Sequence, residues 1–158
     1  SFVGDIKNSR TIHSLIKLIE KYNGNNEHIY NFIGHDEIVE CEEIKSILKP
    51  HQIYKNTYCN EDLNNILEFK PDIVYITRIQ KERMDESIDN EIIIDNNFLN
   101  KLSNDAIVMH PLPRNNELDT SCDSNHRSKY FEQIKNGVYV RMAIIYNLLV
   151  LDSLNDMI

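Results

Sequence analysis

Two arginines in separate segments are the residues of this chain best suited to bind a small anion. Arg10 lies in the segment GDIKNSRT, just after an apolar run, and Arg78 lies in TRIQKER, just after another. Each guanidinium is a planar fork that can hold a carboxylate through two parallel hydrogen bonds, whereas a lysine is a point charge. If both forks reach one crevice, each can hold one carboxylate of a dicarboxylate. The alternative is that Arg10 decorates the first helix and that Arg78 belongs to a solvated run of charge.

A second unusual segment is MHPLPRN, which begins at the end of the apolar run at residues 106–109. Here a predicted strand leaves the interior through Pro111 and Pro113, with His110, Leu112 and Arg114 around them. Proline fixes its own φ and restricts the residue before it. A plain surface turn needs no second proline. We therefore expect that the two prolines make the backbone rigid at this strand exit because the backbone has a functional role there.

The composition excludes several other classes of function. The formal net charge of −8 argues against nucleic acid as a partner, because phosphate binding requires a surplus of lysine and arginine. The chain has four glycines, none in a GxGxxG pattern, which argues against a nucleotide cofactor. No Ser, His and Asp set surrounds a nucleophile elbow, and the three cysteines have neither zinc-ligand nor redox spacing. We therefore expect no metal and no organic cofactor.

The other polar candidates and the apolar segments have ordinary interpretations. His13 follows the first basic cluster on a predicted helix, where we expect a surface or packing role, and His126 lies in a polar segment. The longest apolar stretch, residues 142–151, is interrupted by Asn147 and is too short to span a bilayer, so we expect no membrane association. Unpaired cysteines without a visible signal peptide favour a reducing, cytoplasmic compartment.

Strands and helices must alternate to position these residues. With 41% hydrophobic and 27% charged residues, the 158 residues fit one globular domain that buries roughly 70% of its unfolded surface. Five apolar runs predict strands, at residues 2–4, 28–33, 53–55, 72–77 and 106–109. Helical periodicity occupies residues 12–22, 38–48 and 62–69 between them. This rhythm predicts a parallel sheet covered by helices on both faces.

The positions of the basic residues predict the strand order. In a doubly wound sheet of order 3-2-1-4-5, a crevice opens at the carboxyl ends of strands 1 and 4. Arg10 follows strand 1, Arg78 follows strand 4, and Arg114 follows strand 5. We therefore predict an α/β fold with a doubly wound, five-stranded parallel sheet of order 3-2-1-4-5, in preference to 2-1-3-4-5.

The two ends of the chain suggest that it is part of a larger protein. The sequence opens with SFVGD, which is typical of the end of a buried strand without a leading turn. After Asn136-Gly137, a segment of helical length is apolar almost all the way round. Such a helix needs cover on most of its sides, and one small sheet can cover only one. We therefore predict a domain at residues 1–136 and a helix at residues 137–158 that packs on a surface outside this chain.

Four segments together resemble the second half of the aspartate transcarbamoylases, which join carbamoyl phosphate to L-aspartate in pyrimidine biosynthesis. They are VGDIKNSRTIHSL, VYITRIQKERMD, VMHPLPRNNELDTSCD and YFEQIKNGVYVRMAIIYNLL, and the likeness runs in order from residue 2 to about residue 151. The related ornithine transcarbamoylases carry His-Cys-Leu-Pro where this chain has His110-Pro111-Leu112-Pro113, and they lack the GDIKxxRT pattern. An ornithine-type enzyme is therefore a disfavoured alternative.

The resemblance implies roles for five residues. Arg10 and Arg78 would bind the two carboxylates of aspartate, and Gln80 would orient its amine. Leu112 and Pro113 would offer backbone carbonyls to the amide group of carbamoyl phosphate. The Leu112-Pro113 bond would be cis, which before proline costs only about 0.5–1 kcal/mol relative to trans. In this interpretation the two prolines hold carbonyl acceptors toward the crevice.

The resemblance also implies which parts lie outside this chain. In the family, a Ser-Thr-Arg-Thr loop and an oxyanion-polarising histidine belong to an N-terminal carbamoyl phosphate domain, and a lysine and a serine come from the neighbouring subunit of a homotrimer. No Ser-Thr-Arg-Thr sequence is present here. We therefore expect an aspartate-binding half that is inactive alone, without an assigned catalytic residue, whose last helix crosses to the N-terminal domain. The alternative is a non-catalytic module that binds a dicarboxylate or takes part in subunit assembly.

Overall fold

A parallel sheet forms the centre of the computed structural model, which describes residues 1–22, 24, 26–35, 39–57, 63–79 and 92–155. Its strands are β1 (Phe2–Val3), β2 (Tyr30–Gly34), β3 (Ile53–Thr57), β4 (Ile73–Ile76) and β5 (Ile107–Met109). They pair in parallel in the order β3-β2-β1-β4-β5. The predicted fold class and strand order are therefore confirmed, with β1 at the centre of the sheet.

Helices connect the strands at bounds close to the predicted ones. The α-helices are α1 (Arg10–Tyr22), α2 (Glu42–Ile47), α3 (Leu63–Phe69), α4 (Asn96–Lys101) and α5 (Tyr130–Asn155), and Pro50–Gln52 and Thr120–Ser124 form short 3-10 helices. The sequence pattern did not predict α4, a helix of six residues. Its start is fixed by Asp95, whose side chain accepts a hydrogen bond from the Phe98 N–H at 2.8 Å.

The apolar core lies on both faces of the sheet, because successive strand residues point to opposite sides. On β4, Val74 and Ile76 belong to the cluster on one face, and Tyr75 belongs to the cluster on the other. The first face is covered from α3 and α4, and the second from α1 and α2. This two-sided cover is what makes the sheet doubly wound and leaves its carboxyl edge open between the helix layers.

Gly4 allows the exits of β1 and β4 to approach each other closely. Its φ of +114° is a conformation that L side chains rarely adopt, and a Cβ built there would lie 2.2 Å from the Thr77 carbonyl oxygen. A side chain at this position would therefore force the two strand ends apart. Only glycine lets the segment leading to Arg10 lie beside the segment that carries Arg78.

Helix α5 begins earlier than the sequence predicted. It runs unbroken from Tyr130 to Asn155, with Gly137 inside it rather than before it. A glycine in a helix interior costs only about 1 kcal/mol relative to alanine, and the buried Tyr130 anchors the first turn. Beyond this anchored start, every residue from 134 to 150 is exposed. The boundary that we place at residue 136 therefore falls within a continuous helix, and the division of the chain there stays a prediction.

No helix in the described ranges is both long enough and apolar enough to cross a lipid bilayer.

Candidate functional site

A cavity of about 300 Å³ opens at the carboxyl edge of the sheet. Three segments form its wall: the start of α1, the exit of β4 and the exit of β5. Its lining residues are Asn8, Ser9, Arg10, Thr11, Thr77, Arg78, His110, Pro111, Leu112 and Pro113. The strand order thus brings the segment after β1 next to the segment after β4, although more than 60 residues of sequence separate them.

Arg10 and Arg78 both line this cavity, as the strand order required. Arg10 is the first residue of α1 and is exposed, whereas Arg78 is the second residue after β4 and is half-buried. Two guanidinium groups at one cavity make it suited to a small ligand that carries two negative groups. Gln80, Lys81 and Arg83 lie outside the described residues.

The loop from β1 to α1 is held by its own hydrogen bonds. The carboxylate of Asp5, which is fully buried, accepts from the Asn8 N–H at 2.9 Å and from the Asn8 side-chain amide at 3.1 Å. The His13 ring contacts the Ile6 carbonyl at 2.9 Å, so His13 packs against the loop as expected. These contacts fix where α1 begins and therefore where Arg10 stands.

The segment after β5 has a specific backbone shape. The Leu112-Pro113 bond is cis, as the resemblance implied, and Leu112 has a φ of +47°. A left-handed backbone at a residue other than glycine costs on the order of 1–3 kcal/mol and persists only where its surroundings impose it. The hydrogen bonds around the neighbouring His110 show what imposes it here.

His110 is 1% exposed, and its backbone N–H and both of its ring nitrogens are hydrogen-bonded. Its ring Nδ1 accepts from the Leu112 N–H at 2.9 Å, so Nε2 carries the hydrogen and donates to Glu117 Oε1 at 2.8 Å. Its backbone N–H donates to Gln133 Oε1 on α5 at 3.1 Å. The histidine therefore ties the Leu112 peptide to a buried carboxylate and to the first turn of α5.

Glu117 completes this network. Its Oε1 also accepts from the Asn115 N–H at 3.0 Å. Burial raises the pKa of Glu117, but hydrogen bonds from the His110 ring and from the backbone N–H groups of Asn115 and Glu117 outweigh burial and hold the pKa below its ordinary value. An ionised carboxylate under the loop is therefore the state that the surroundings stabilise.

Arg114 contributes to the loop rather than to the cavity. Its guanidinium makes a two-pronged ion pair with Asp123, and Asp123 Oδ1 also accepts from the Tyr130 hydroxyl at 2.6 Å. The hydrogen bonds to Asp123 raise the pKa of Arg114 further above its already high value. The sequence grouped Arg114 with the basic residues expected to face a ligand. That grouping is wrong, because the guanidinium of Arg114 pairs with Asp123 and Arg114 is not among the residues that line the cavity. Lys7, the other basic residue of the first loop, is exposed and does not line the cavity.

Comparison with known proteins identifies the domain. The family model described as aspartate/ornithine carbamoyltransferase, Asp/Orn binding domain, matches residues 1–148. The chain belongs to the aspartate/ornithine carbamoyltransferase family. Within that family it is the Asp/Orn binding domain.

Curated carbamoyltransferases share this sequence over nearly its whole length. A chloroplastic aspartate carbamoyltransferase of Oryza sativa subsp. japonica is 41% identical over 156 residues, which cover 94% of this chain and 41% of that protein. The aspartate carbamoyltransferase catalytic subunit of Finegoldia magna is 40% identical over 152 residues, covering 92% of this chain and 47% of that protein. The chain therefore spans less than half the length of these two relatives.

Solved carbamoyltransferases share the fold. The aspartate transcarbamoylase of Trypanosoma cruzi in complex with carbamoyl phosphate superposes with a TM-score of 0.75 at 31% identity, over 92% of this chain and 47% of that one. The same enzyme in complex with N-(phosphonacetyl)-L-aspartic acid gives a TM-score of 0.73 at 30% identity.

The structure places in this cavity several residues that the sequence pattern did not single out. Ser9, Thr11 and Thr77 line the cavity with the two arginines, and Ser9 Oγ lies 2.9 Å from Thr11 Oγ1. The Thr77 hydroxyl is buried and has no hydrogen-bond partner among the described residues. Serine and threonine are common at turns and helix starts, so their residue type alone gave no signal. Position directly beside Arg10 and Arg78 was the only available clue.

The described residues of this carbamoyltransferase domain include no group of three or more His, Cys, Asp and Glu side chains placed to hold a metal ion.

Proposed function

We propose that this chain is the aspartate-binding part of an aspartate carbamoyltransferase, which transfers the carbamoyl group of carbamoyl phosphate to the amine of L-aspartate. The products are N-carbamoyl-L-aspartate and phosphate, for de novo pyrimidine biosynthesis. The observation that carries the proposal is that Arg10 and Arg78, from two different strand exits, line one cavity. Family membership supports it, and so does the lining that the structure describes, in which no acidic side chain competes for the two arginines.

Each lining segment has a role in this proposal. Arg10 and Arg78 each bind one carboxylate of aspartate, and Gln80 orients the amine. The carbonyls of Leu112 and Pro113 accept hydrogen bonds from the amide group of carbamoyl phosphate. The His110 and Glu117 contacts support this role, because they hold the Leu112 peptide before any ligand arrives.

The chemistry needs two reactants held together more than it needs a nucleophile from the protein. The aspartate amine attacks the carbonyl carbon, a tetrahedral oxyanion forms, and phosphate leaves. Placing both reactants in one cavity lowers the entropic part of the barrier, and donors aimed at the oxyanion lower the electrostatic part. In the proposed enzyme those donors belong to the N-terminal carbamoyl phosphate domain. No metal or organic cofactor takes part.

In this proposal helix α5 provides the surface on which a partner domain packs. In the proposed division of the chain, the segment 137–158, most of which belongs to α5, crosses to the carbamoyl phosphate domain, while residues 1–136 form the aspartate-binding domain. The exposed apolar side chains of α5, such as Leu148 at 58% and Leu149 at 65%, are the surface for that contact. We further propose a homotrimer in the cytoplasm as the working assembly, since the family resemblance implies that a lysine and a serine of a neighbouring subunit complete the site.

A complementation assay tests the proposal. This chain is joined in a chimera to the carbamoyl phosphate domain of an aspartate carbamoyltransferase, and carbamoyl aspartate formation is measured for the chimera and for the chain alone. We expect product from the chimera and none from the chain. Product with L-ornithine instead of L-aspartate would favour the ornithine-type alternative. Tight binding of aspartate by the chain, with an inactive chimera, would favour a non-catalytic dicarboxylate-binding module.

A further inference from the structure

Away from the cavity, a cysteine, a histidine and a glutamate lie side by side where α1 meets α2. Cys41 Sγ is 3.3 Å from His13 Nε2, and His13 Nδ1 is 3.1 Å from Glu43 Oε2. His13 lies on α1, Cys41 directly precedes α2, and Glu43 is the second residue of α2. A thiol next to an imidazole that is oriented by a carboxylate is the arrangement that activates cysteine nucleophiles.

Both nitrogens of the His13 ring face hydrogen-bond acceptors, and Nε2 also faces the sulfur. Nε2 is 2.9 Å from the Ile6 carbonyl oxygen, and Nδ1 faces the Glu43 carboxylate. A carbonyl and a carboxylate can only accept, so both contacts are satisfied only when both ring nitrogens carry hydrogen. An imidazolium within hydrogen-bonding distance of sulfur stabilises the thiolate, which is the reactive form of cysteine.

The thiol of Cys41 lies at the border of the fold. The residue is half-buried and lines a small hollow with apolar neighbours such as Ile6 and Val39. The side chain of His13 is 12% exposed, so the imidazole is shielded while the thiol stays within reach.

We propose that Cys41, His13 and Glu43 form an activated-thiol site that reacts with small electrophiles, of which hydrogen peroxide is the representative. The Cys41 thiolate attacks one peroxide oxygen, so that an S–O bond forms while the O–O bond breaks. The departing hydroxide takes the hydrogen from His13 Nε2, which leaves water, a sulfenic acid on Cys41 and a neutral imidazole. The sulfur loses two electrons and the peroxide gains them. This site does not depend on the proposed carbamoyl transfer.

Cys122 provides an internal control. It is fully buried, its Sγ lies 3.5 Å from the Ile94 carbonyl, and no imidazole is among its contacts in the described part of the chain. Burial raises the pKa of the Cys122 thiol to about 11. The two cysteines therefore have opposite expected reactivity within one folded chain. Cys59 lies outside the described residues.

The test is alkylation by iodoacetamide at neutral pH, followed by mass spectrometry of tryptic peptides, which separate Cys41, Cys59 and Cys122. We expect Cys41 to react at least about tenfold faster in the folded chain than in the same chain unfolded in urea. Cys122 should react more slowly when folded. After exposure to peroxide, dimedone should label the Cys41 peptide and not the Cys122 peptide.

Two variants assign the effect to the histidine and its carboxylate. His13→Gln keeps an amide hydrogen for the Ile6 carbonyl but removes the imidazolium, and we expect it to slow alkylation of Cys41 by about tenfold. Glu43→Gln should slow it by less. His126→Gln, at an exposed histidine far along the chain, should leave the rate unchanged.

Several results would overturn the proposal. One is equal alkylation of Cys41 in the parent and His13→Gln chains. Another is a Cys41 that reacts no faster folded than unfolded, which decides the question even if His13→Gln fails to fold. Rapid alkylation without a dimedone adduct would overturn the peroxide step.

Discussion

The loop from His110 to Glu117 and the exposed length of α5 are built on opposite physical principles. In the loop, the buried polar groups of His110 and Glu117 have hydrogen-bond partners within the chain itself. Along α5, apolar side chains from Val138 to Leu149 are about half exposed or more, with Tyr146 at 67%. The buried polar groups of the loop thus find their partners within this chain, whereas the helix presents an apolar surface that the described residues leave uncovered.

This difference separates what prepares a site from what joins it to the rest of a protein. A buried polar network is costly unless every member is satisfied, so it must be completed locally to be stable at all. An exposed apolar surface costs little in an isolated chain and gains free energy only when a partner covers it. The two regions meet at the first turn of α5, where Gln133 accepts from the His110 N–H and Tyr130 donates to Asp123.

The largest expected effect lies in the cavity that the loop borders. Arg78→Ala in an active chimera should lower kcat/KM for aspartate, because one substrate carboxylate loses its partner. The loss of transition-state stabilisation, taken from the ratio of the parent and variant kcat/KM values, should be about 2–5 kcal/mol. Arg10→Lys should also lower it, since the charge stays while the two-pronged geometry is lost. Steady-state kinetics with varied aspartate measure both.

The matched control for the cavity is Lys7→Ala, in the same loop as Arg10 but outside the cavity lining. It should leave the aspartate kinetics close to those of the parent. If Arg78→Ala behaved like Lys7→Ala, the assignment of Arg78 to a substrate carboxylate would be wrong.

The loop itself should respond to loss of its carboxylate. Glu117→Ala leaves the buried His110 Nε2–H without an acceptor, which should reduce the free energy of unfolding by about 1–3 kcal/mol. Glu117→Gln keeps an oxygen acceptor and should cost less. Urea unfolding of the three chains at neutral pH measures the difference, and equal losses for Ala and Gln would show that the hydrogen bond to His110 does not hold the loop.

Acid should weaken the loop in a predictable direction. The pKa of Glu117 lies below its ordinary value of 4.5, so its ionised form stabilises the fold. That contribution is present above about pH 4.5 and is lost as the pH falls through the lower pKa of the folded chain. The pKa of Asp123 is also lowered, chiefly by its hydrogen bonds from Arg114, and acts in the same direction.

Urea unfolding at pH 6 and at pH 3.5 measures this acid dependence. The free energy of unfolding should fall between the two values in the parent chain and should fall by less in Glu117→Gln, which cannot be protonated there. A steeper fall in the variant would contradict the assignment.

The smallest effect is expected on α5. Leu148→Ala changes a leucine that is 58% exposed and should alter the free energy of unfolding by no more than about 0.5 kcal/mol. Leu99→Ala changes a fully buried leucine of α4 and should cost about 2–5 kcal/mol. Thermal unfolding of both variants compares them directly. A large loss for Leu148→Ala would mean that α5 is already covered in the chain alone.

Much of the fold could be predicted because its signals are local. The apolar runs and the spacing of residues such as Ile12 and Ile16 gave the strands and the first helices, and both isoleucines are fully buried. The convergence of Arg10 and Arg78 could be predicted from strand order, because the carboxyl ends of adjacent parallel strands meet. Helix α4 was missed. The start of α5 was misplaced, because Gly137 does not interrupt a helix whose first turn is anchored by Tyr130.

The sequence by itself determined the layered α/β architecture, the edge of the sheet where a ligand could bind and the family to which the chain belongs. Only the tertiary structure decided that Arg114 binds Asp123, that His110 links Leu112 to Glu117 and Gln133, and that Cys41 lies beside His13. The physical reason is one of range. Hydrophobic periodicity repeats within a few residues along the chain, whereas a hydrogen bond between distant side chains forms only where the packed backbone brings a donor within about 3 Å of an acceptor.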